Sequence, residues 1–324
     1  MKKVKKKLLS IILILSLIII SGVTWLLIYL HQTDAPATIG KVSYHIPYHK
    51  DLTLDIYHPT LSNSKQPAPV LMYIHGGAWI AGSKLTVNNN RFNGAFNALR
   101  NQGYFIISPD YTLARNGKSP FPMCIEDIFY AIDWMKLHAI EYNWDMNQLV
   151  LLGESAGGHL AMMTAFSNPE DFGLHLEKQP IHALIDVYGP SDLVNLYHAN
   201  TTDSINELIN RLPASLAEQL DLAKLLVGFQ PSENQHAADS IMEHLSPINY
   251  LTNEAPPMLL IHGKADQIVP VDQSYELQKR LDSLAIPNEA YYYDQVNHGF
   301  FEATNSQKQD IQKRIIEFIS QHKP

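Results

Sequence analysis

The chain of 324 residues contains a single cysteine, Cys124. No disulfide can therefore form within the chain in any redox compartment. Cys124 lies in an apolar helical pattern, where we expect a small buried hydrophobic side chain. The sequence also lacks an H-E-x-x-H motif or a Cys/His cluster, although it has 15 histidines. We therefore expect no metal site.

Basic residues are scarce once the N-terminus is passed. Five of the 24 Lys and Arg residues lie within residues 2–7, and all 32 acidic residues follow residue 30. The remaining chain therefore carries a net charge of about −13. Such a surface repels phosphate backbones, which excludes nucleic acid as an expected partner. No repeat or low-complexity tract follows the lysine cluster.

Residues 8–30 contain no charged side chain. At about 1.5 Å per residue, a helix of this length spans the roughly 30 Å hydrocarbon core of a bilayer. The stretch exceeds the ~7–15 apolar residues of a secretory signal peptide, and Trp25 and Tyr29 lie where an interfacial aromatic belt is expected. We therefore predict an uncleaved transmembrane signal anchor, with a secreted or periplasmic protein after signal cleavage as the alternative.

The charges on either side of this stretch predict its orientation. The lysines of residues 1–7 precede it, whereas the linker of residues 31–40 contains no Lys or Arg. The positive-inside rule then keeps residues 1–7 in the cytoplasm and places the domain of residues 41–324 on the extracytoplasmic side.

A candidate nucleophile lies in residues 153–158, Gly-Glu-Ser-Ala-Gly-Gly. The apolar run of residues 149–152 precedes this motif and a helical pattern follows it. A G-x-S-x-G turn between a strand and a helix exposes its serine, here Ser155, as a nucleophile. The amide of Ala156 then lies at a helix N-terminus, where the unpaired N–H groups and the helix dipole favour a developing oxyanion.

An activated serine needs a base, and the base needs an acid that orients it. His298 follows a strand pattern rich in tyrosine, and Asp266 follows the apolar run of residues 257–261. The order Ser155, Asp266, His298 is the order of the α/β-hydrolase triad. Asp294 is the alternative acid, because it lies only four residues before His298.

A second set of N–H donors is predicted just after the apolar run of residues 70–74. The next residues, His75-Gly76-Gly77-Ala78-Trp79, resemble the loop that supplies the oxyanion hole of lipases and esterases. We expect the amides of Gly76 and Gly77 to bind the oxyanion together with that of Ala156. His75 and His262 each precede a glycine at a strand end, where we expect hydrogen-bonding roles in loops.

Strand and helix patterns alternate along the chain, which predicts an α/β fold with a mostly parallel sheet. Two strands without a helix between them begin the domain, so the sheet is expected to start antiparallel. The predicted strands are 42–47, 52–57, 70–74, 104–108, 149–152, 183–188, 258–261 and 289–293, and the predicted helices are 90–101, 122–140, 159–166, 273–285 and 307–322. Residues 191–244 interrupt this alternation with amphipathic patterns. We predict a helical cap insertion there that folds over the site.

These motifs resemble carboxylesterases of the α/β-hydrolase superfamily. The chain is most similar to the hormone-sensitive-lipase-like branch and its bacterial feruloyl-esterase-like (BD-FAE-like) relatives, over roughly residues 40–320. The resemblance implies the α/β-hydrolase fold and hydrolysis of small acyl or feruloyl esters without a cofactor. Ala78 replaces the third glycine of the usual loop but still supplies an amide. Thr112 stands where an arginine is common, so any ion pair of that arginine is expected to be absent or supplied by Arg115.

The sequence thus predicts a membrane-anchored serine hydrolase that cleaves carboxylic esters through an acyl-enzyme intermediate. Glu154, beside the nucleophile, is expected either to brace the loop of His75 or to lie in solvent. A lipase, an arylformamidase or a peptidase on the same fold remains open. A non-catalytic binding module is the alternative from another class. The oligomeric state and the natural ester cannot be predicted from these patterns.

Overall fold

The computed structural model describes residues 38–61, 66–89, 92–198 and 221–322. These residues contain one eight-stranded sheet. Its strands are β1 (Val42–His49), β2 (Leu52–Tyr57), β3 (Ala68–Ile74), β4 (Phe105–Pro109), β5 (Trp144–Glu154), β6 (Ala183–Val187), β7 (Met258–Gly263) and β8 (Asn288–Tyr293).

Nine α-helices connect and flank these strands within the same ranges. They are α1 (Thr86–Asn89), α2 (Asn93–Asn101), α3 (Met123–Tyr142), α4 (Ala156–Phe166), α5 (Leu193–His198), α6 (Leu222–Val227), α7 (Gln235–His244), α8 (Asp272–Ser283) and α9 (Asn305–Gln321).

The strands lie in the order β1-β2-β4-β3-β5-β6-β7-β8. Strand β2 is antiparallel to both of its neighbours, and all the other neighbouring pairs are parallel. The predicted antiparallel start and parallel continuation are therefore confirmed. Because parallel strands end on the same side, the loops after β3, β5, β7 and β8 meet at one edge of the sheet.

The sheet separates two hydrophobic layers. Alternate residues of β5 face opposite layers: Leu149 and Leu151 belong to one, and Val150 and Leu152 to the other. Helices α3 and α4 contribute to the first layer, whereas α2 and α9 contribute to the second. A strand covered on both faces needs an apolar residue at every position, which explains the uninterrupted apolar runs of the sequence.

Strand β5 and helix α4 both begin earlier than predicted. Trp144 and Asp145 pair with the start of β3, and a register shift separates them from the pairing of Leu149 with Val70. The mixed polar sequence of residues 144–148 contains no strand pattern. Helix α4 includes Gly157 and Gly158, which favour non-helical structure by intrinsic propensity. Tertiary pairing and packing override the local preference in both cases.

Two predictions concern residues that the structure does not fully describe. The predicted anchor, residues 8–30, lies outside the described residues, and none of the helices within the described ranges is long and apolar enough to cross a membrane. The predicted cap, residues 191–244, includes residues 199–220, which also lie outside. Its described part contains α5, α6 and α7, and its boundaries stay a prediction.

Candidate active site

The candidate nucleophile lies in a sharp turn between β5 and α4. Ser155 has a φ of 53° and a ψ of −123°, a conformation that L-residues rarely adopt. A Cβ atom on Gly153 would lie 2.1 Å from the carbonyl oxygen of Gly157, and one on Gly157 would lie 2.0 Å from another backbone oxygen. The glycines of the motif are therefore required by close backbone approach.

The structure brings the three predicted triad residues into one hydrogen-bonded chain. Ser155 Oγ lies 2.9 Å from His298 Nε2, and His298 Nδ1 lies 2.7 Å from Asp266 Oδ2. A carboxylate can only accept, so Nδ1 carries the hydrogen and Nε2 accepts the hydroxyl hydrogen of Ser155. This is the arrangement that a general base needs in order to activate a serine.

The carboxylate of Asp266 is buried and bound by several donors. Its Oδ1 accepts from the backbone N–H groups of Ile268, at 2.8 Å, and Val269, at 2.9 Å. Burial alone would raise the pKa of Asp266, but hydrogen bonds from His262 and His298 hold it well below its usual range. The side chain is therefore an anion at neutral pH, as required to stabilise a charged imidazole.

Asp294, the alternative acid, has a different environment. Its side chain is 80% exposed and pairs with Lys264 at 2.9 Å. His298 contacts Asp266 and not Asp294. The loop after β7 places Asp266 beside the imidazole of His298, whereas Asp294 lies in solvent.

The predicted oxyanion loop lies against the nucleophile. A Cβ atom on Gly76 would lie 3.2 Å from the Cβ of Ser155, and one on Gly77, which has a φ of 122°, would lie 2.2 Å from a backbone oxygen. Among the described residues, the N–H groups of Gly76, Gly77 and Ala156 donate to no other protein group, whereas that of Ser155 donates to a carbonyl of β6. The first three amides therefore remain available to a ligand oxygen.

His75 fixes the shape of this loop, as expected for a hydrogen-bonding position. Its Nδ1 donates to the carbonyl of Gly76 at 2.8 Å, and burial lowers the pKa of the imidazole. The ring stacks on Tyr111 at 4.2 Å, and the Tyr111 hydroxyl donates to the His75 carbonyl at 2.9 Å.

The ion pair beside this loop involves a residue that sequence reasoning missed. Lys84 Nζ lies 2.5 Å from Asp110 Oδ2, and the backbone N–H of Lys84 donates to Oδ1 at 2.9 Å. Arg115, one of the two alternatives for the arginine absent at position 112, is exposed. Lys84 lies 26 residues from Asp110, and no local pattern indicates the pair.

Glu154 is buried, so the predicted alternative in which it lies in solvent is wrong. Its carboxylate is buried and accepts hydrogen bonds from the hydroxyls of Tyr73, at 2.5 Å, and Tyr188, at 2.7 Å. The ring of Tyr188 also contacts that of His298, with the ring centroids 4.6 Å apart. Tyr188 therefore links the buried carboxyl group of Glu154 to the imidazole of His298.

An apolar cavity opens beside the nucleophile. Its empty volume is about 570 Å³, part of it open to solvent. The lining residues within the described part of the chain come from the oxyanion loop, the turn of Ser155, the loop after β6, α5, α6 and the loop of Asp266. They are Ala78, Trp79, Ser155, Ala156, Pro190, Leu196, Tyr197, Leu222, Ala223, Leu226, Ile268 and Val269. None of them is charged, so the cavity suits an uncharged group attached to a carbonyl at Ser155.

No group of three or more His, Cys, Asp or Glu residues that could hold a metal ion occurs in the described ranges. Cys124 is fully buried in α3, in the apolar environment predicted for it.

Comparison with known proteins relates this site to esterases. The family model described as BD-FAE matches residues 54–281. Esterase LipC of Mycobacterium tuberculosis is 28% identical over 240 residues, which cover 72% of this chain and 54% of LipC. Esterase LipQ of the same organism is 25% identical over 284 residues, which cover 85% of this chain and 61% of LipQ. The match thus spans little more than half the length of these relatives.

Solved structures show the same fold. A truncated carbohydrate esterase from gut microbiota superposes with a TM-score of 0.67 at 22% identity, over 88% of this chain and 99% of that one. Esterase Est2 of Thermogutta terrifontis superposes with a TM-score of 0.65 at 20% identity, over 90% of this chain and 93% of that one.

Proposed function

Because the chain belongs to the BD-FAE family of α/β-hydrolases, we propose that it is a serine esterase that cleaves carboxylic esters through a Ser-His-Asp triad. The observation that supports this function most is the hydrogen-bonded chain from Ser155 through His298 to the buried anion of Asp266. The names of its relatives, esterase and carboxylic ester hydrolase, agree with it.

The geometry accounts for each step of the proposed reaction. Ser155 Oγ attacks the ester carbonyl while His298 Nε2 takes its proton, and Asp266 stabilises the imidazolium that results. The oxyanion accepts hydrogen bonds from the amides of Gly76, Gly77 and Ala156. His298 then returns the proton to the departing alcohol, which leaves an acyl group on Ser155. A water molecule, activated by His298 in the same way, then hydrolyses this acyl-enzyme. The proposed reaction needs no cofactor.

The apolar cavity favours esters with uncharged, hydrophobic groups next to the carbonyl. A peptidase on this fold usually holds a charged or polar peptide through directed contacts, which the described lining does not offer. Lipase and arylformamidase activities use the same catalytic groups and differ in the shape of the pocket. A panel of p-nitrophenyl esters of graded acyl length, together with N-formylkynurenine as an amide substrate, distinguishes these activities.

The nucleophile is tested by labelling and turnover. Ser155→Ala should abolish labelling by a fluorophosphonate probe and lower turnover of p-nitrophenyl butyrate on the order of 10⁴ to 10⁶-fold, because the remaining residues cannot form the acyl-enzyme. Ser283→Ala removes an exposed serine at the end of α8 and is the matched control, with unchanged labelling and turnover. Retention of more than about a tenth of the activity by Ser155→Ala would contradict the assignment. A wild-type chain that the probe fails to label would favour a non-catalytic binding module.

We also propose that residues 8–30 anchor the enzyme in a membrane, with the catalytic domain on the extracytoplasmic side. This proposal is supported by the charge-free stretch of bilayer length behind five lysines. The full chain should fractionate with membranes, resist extraction by carbonate, and be open to protease from the outer side only. A chain that begins near Thr33 should be soluble and active, because every proposed site residue follows it.

The same fractionation tests the alternatives. Recovery of the protein in the soluble extracytoplasmic fraction, with an N-terminus near Thr38, would indicate a cleaved signal peptide. Recovery from the cytosol with Met1 intact would contradict both interpretations.

A further inference from the structure

A second histidine contacts the acid of the proposed triad. His262 lies on β7, and its side chain is completely buried. Its Nε2 lies 2.9 Å from the carbonyl oxygen of Val269 and 3.2 Å from Asp266 Oδ2, while Nδ1 lies 2.7 Å from Ser274 Oγ on α8. A carbonyl and a carboxylate oxygen can only accept, so Nε2 carries a hydrogen.

Both histidines meet at one oxygen atom. Asp266 Oδ2 contacts His298 Nδ1 at 2.7 Å and His262 Nε2 at 3.2 Å. The other carboxylate oxygen accepts the N–H of Val269, whose carbonyl in turn accepts from His262. His262 therefore links two residues of the loop after β7, Asp266 and Val269, to that strand.

The orientation of the Asp266 carboxylate depends on these contacts. Two backbone N–H groups hold Oδ1, but among the side chains described only His298 and His262 hold Oδ2. His298 gains and loses a proton at Nε2 during the proposed reaction and is itself positioned by Asp266, so it does not fix Oδ2 independently. His262 transfers no proton in that reaction; the Ser274 hydroxyl contacts its Nδ1, and its ring centroid lies 6.4 Å from that of Tyr188.

We propose that His262 is a positioning residue that holds Asp266 Oδ2 in line with His298 throughout the catalytic cycle. The inference rests on the proposed esterase function. If His262 only filled space in the core, its substitution would lower the stability of the protein and leave kcat unchanged. If His262 positions Asp266, loss of its N–H donor also lowers kcat, because a displacement of about 1 Å in a catalytic group lowers rates on the order of 100-fold.

The test compares three substitutions of His262 in the full chain. His262→Gln keeps an amide donor that reaches the position of Nε2. His262→Asn keeps an amide near the position of Nδ1, from which it meets Ser274 but does not reach Asp266. His262→Leu fills the space without any donor. Each variant is assayed for kcat and KM with p-nitrophenyl butyrate, for the rate of fluorophosphonate labelling, and for cooperative thermal unfolding.

We expect His262→Leu and His262→Asn to lower kcat and the labelling rate about 10- to 100-fold, with KM changed less than about twofold. His262→Gln should recover kcat to within about threefold of the wild type, because it restores a donor to Oδ2. If His262→Leu fails to fold, the comparison of Asn with Gln decides, since both are polar amides of similar burial.

Three outcomes would overturn the proposal. Folded His262→Leu or His262→Asn with wild-type kcat would show that the donor is not needed. Equal losses in the Gln and Asn variants would show that its reach to Asp266 does not matter. A wild-type chain that neither hydrolyses the ester nor reacts with the probe would overturn the proposed function as well, whereas the first two outcomes leave that function intact.

Discussion

Acid should destabilise this protein through one buried histidine on the helix that follows the nucleophile. His159 lies on α4 with no exposed surface, and its Nε2 donates to the carbonyl of Leu245 at 2.7 Å. Its ring packs edge-on against Trp79 of the oxyanion loop, with the centroids 5.1 Å apart. Burial lowers the pKa of His159 from 6.5 to about 4, although the hydrogen bond to Leu245 opposes this shift.

The sign and size of the effect follow from the difference between the two states. Between pH 6.5 and about 4 the unfolded chain binds a proton at His159 that the folded protein does not, so the free energy of unfolding falls as the pH falls. The contribution is absent above pH 6.5 and levels off below the folded pKa. At 1.36 kcal/mol per pKa unit, the linkage amounts to about 2 kcal/mol at pH 5 and about 3 kcal/mol at pH 4.

His159→Gln provides the comparison, because its amide still donates towards the Leu245 carbonyl but does not titrate. Guanidinium unfolding of both proteins, from Thr33 onward, is followed by tryptophan fluorescence at pH 7, 6, 5 and 4. The substitution itself lowers stability at every pH, so the informative quantity is the change in the difference between the proteins. His58, whose pKa is also lowered to about 4, titrates equally in both and cancels. Two parallel pH profiles would refute the reasoning.

Three further substitutions test the geometry of the site. Asp266→Asn should lower turnover on the order of 10⁴-fold, because it favours the wrong tautomer of the proposed base, His298. Asp294→Asn should lower turnover far less. The reverse ranking in steady-state kinetics would assign the role of the acid to Asp294. Gly77→Ala should lower the free energy of unfolding by about 2 kcal/mol or more and abolish turnover. The added carbon would lie 2.2 Å from a backbone oxygen, and the φ of 122° at Gly77 is one that alanine rarely adopts. A stable, active variant would contradict this account of the loop. Lys84→Met should lower the free energy of unfolding by about 2 kcal/mol, because it leaves the partly buried Asp110 carboxylate without its cationic partner. Chemical denaturation at neutral pH measures this difference.

Local sequence patterns determined the order and type of the main elements. The central strands were predicted from apolar runs, because strands covered on both faces must be apolar along their whole length. The edge strand β1 contains no buried residue and mixes polar with apolar side chains. Residues 144–148 escaped prediction because only Trp144 of this mainly polar segment is buried and a register shift interrupts its pairing with β3. Helix α4 began earlier than expected because packing against the sheet outweighs the low helix propensity of its two glycines.

The candidate site also has a part that the sequence predicts and a part that only the fold shows. Ser155, His298 and Asp266 could be predicted because each follows a strand and because acyl transfer requires these residue types in this order. The preference for Asp266 over Asp294 could be argued from sequence, but only the fold shows which carboxylate meets the imidazole.

The sequence by itself determined which residues could perform the chemistry, since reactivity depends on residue type and on position at the end of a strand. Only the tertiary structure decided which groups support them. Lys84 meets Asp110, His262 meets Asp266, and Tyr188 meets both Glu154 and His298. The side chains of Tyr188 and His298, for example, lie 110 positions apart in the chain and touch only because β6 and β8 end at the same edge of the sheet. Such contacts arise from the three-dimensional path of the chain, which no short segment of sequence encodes.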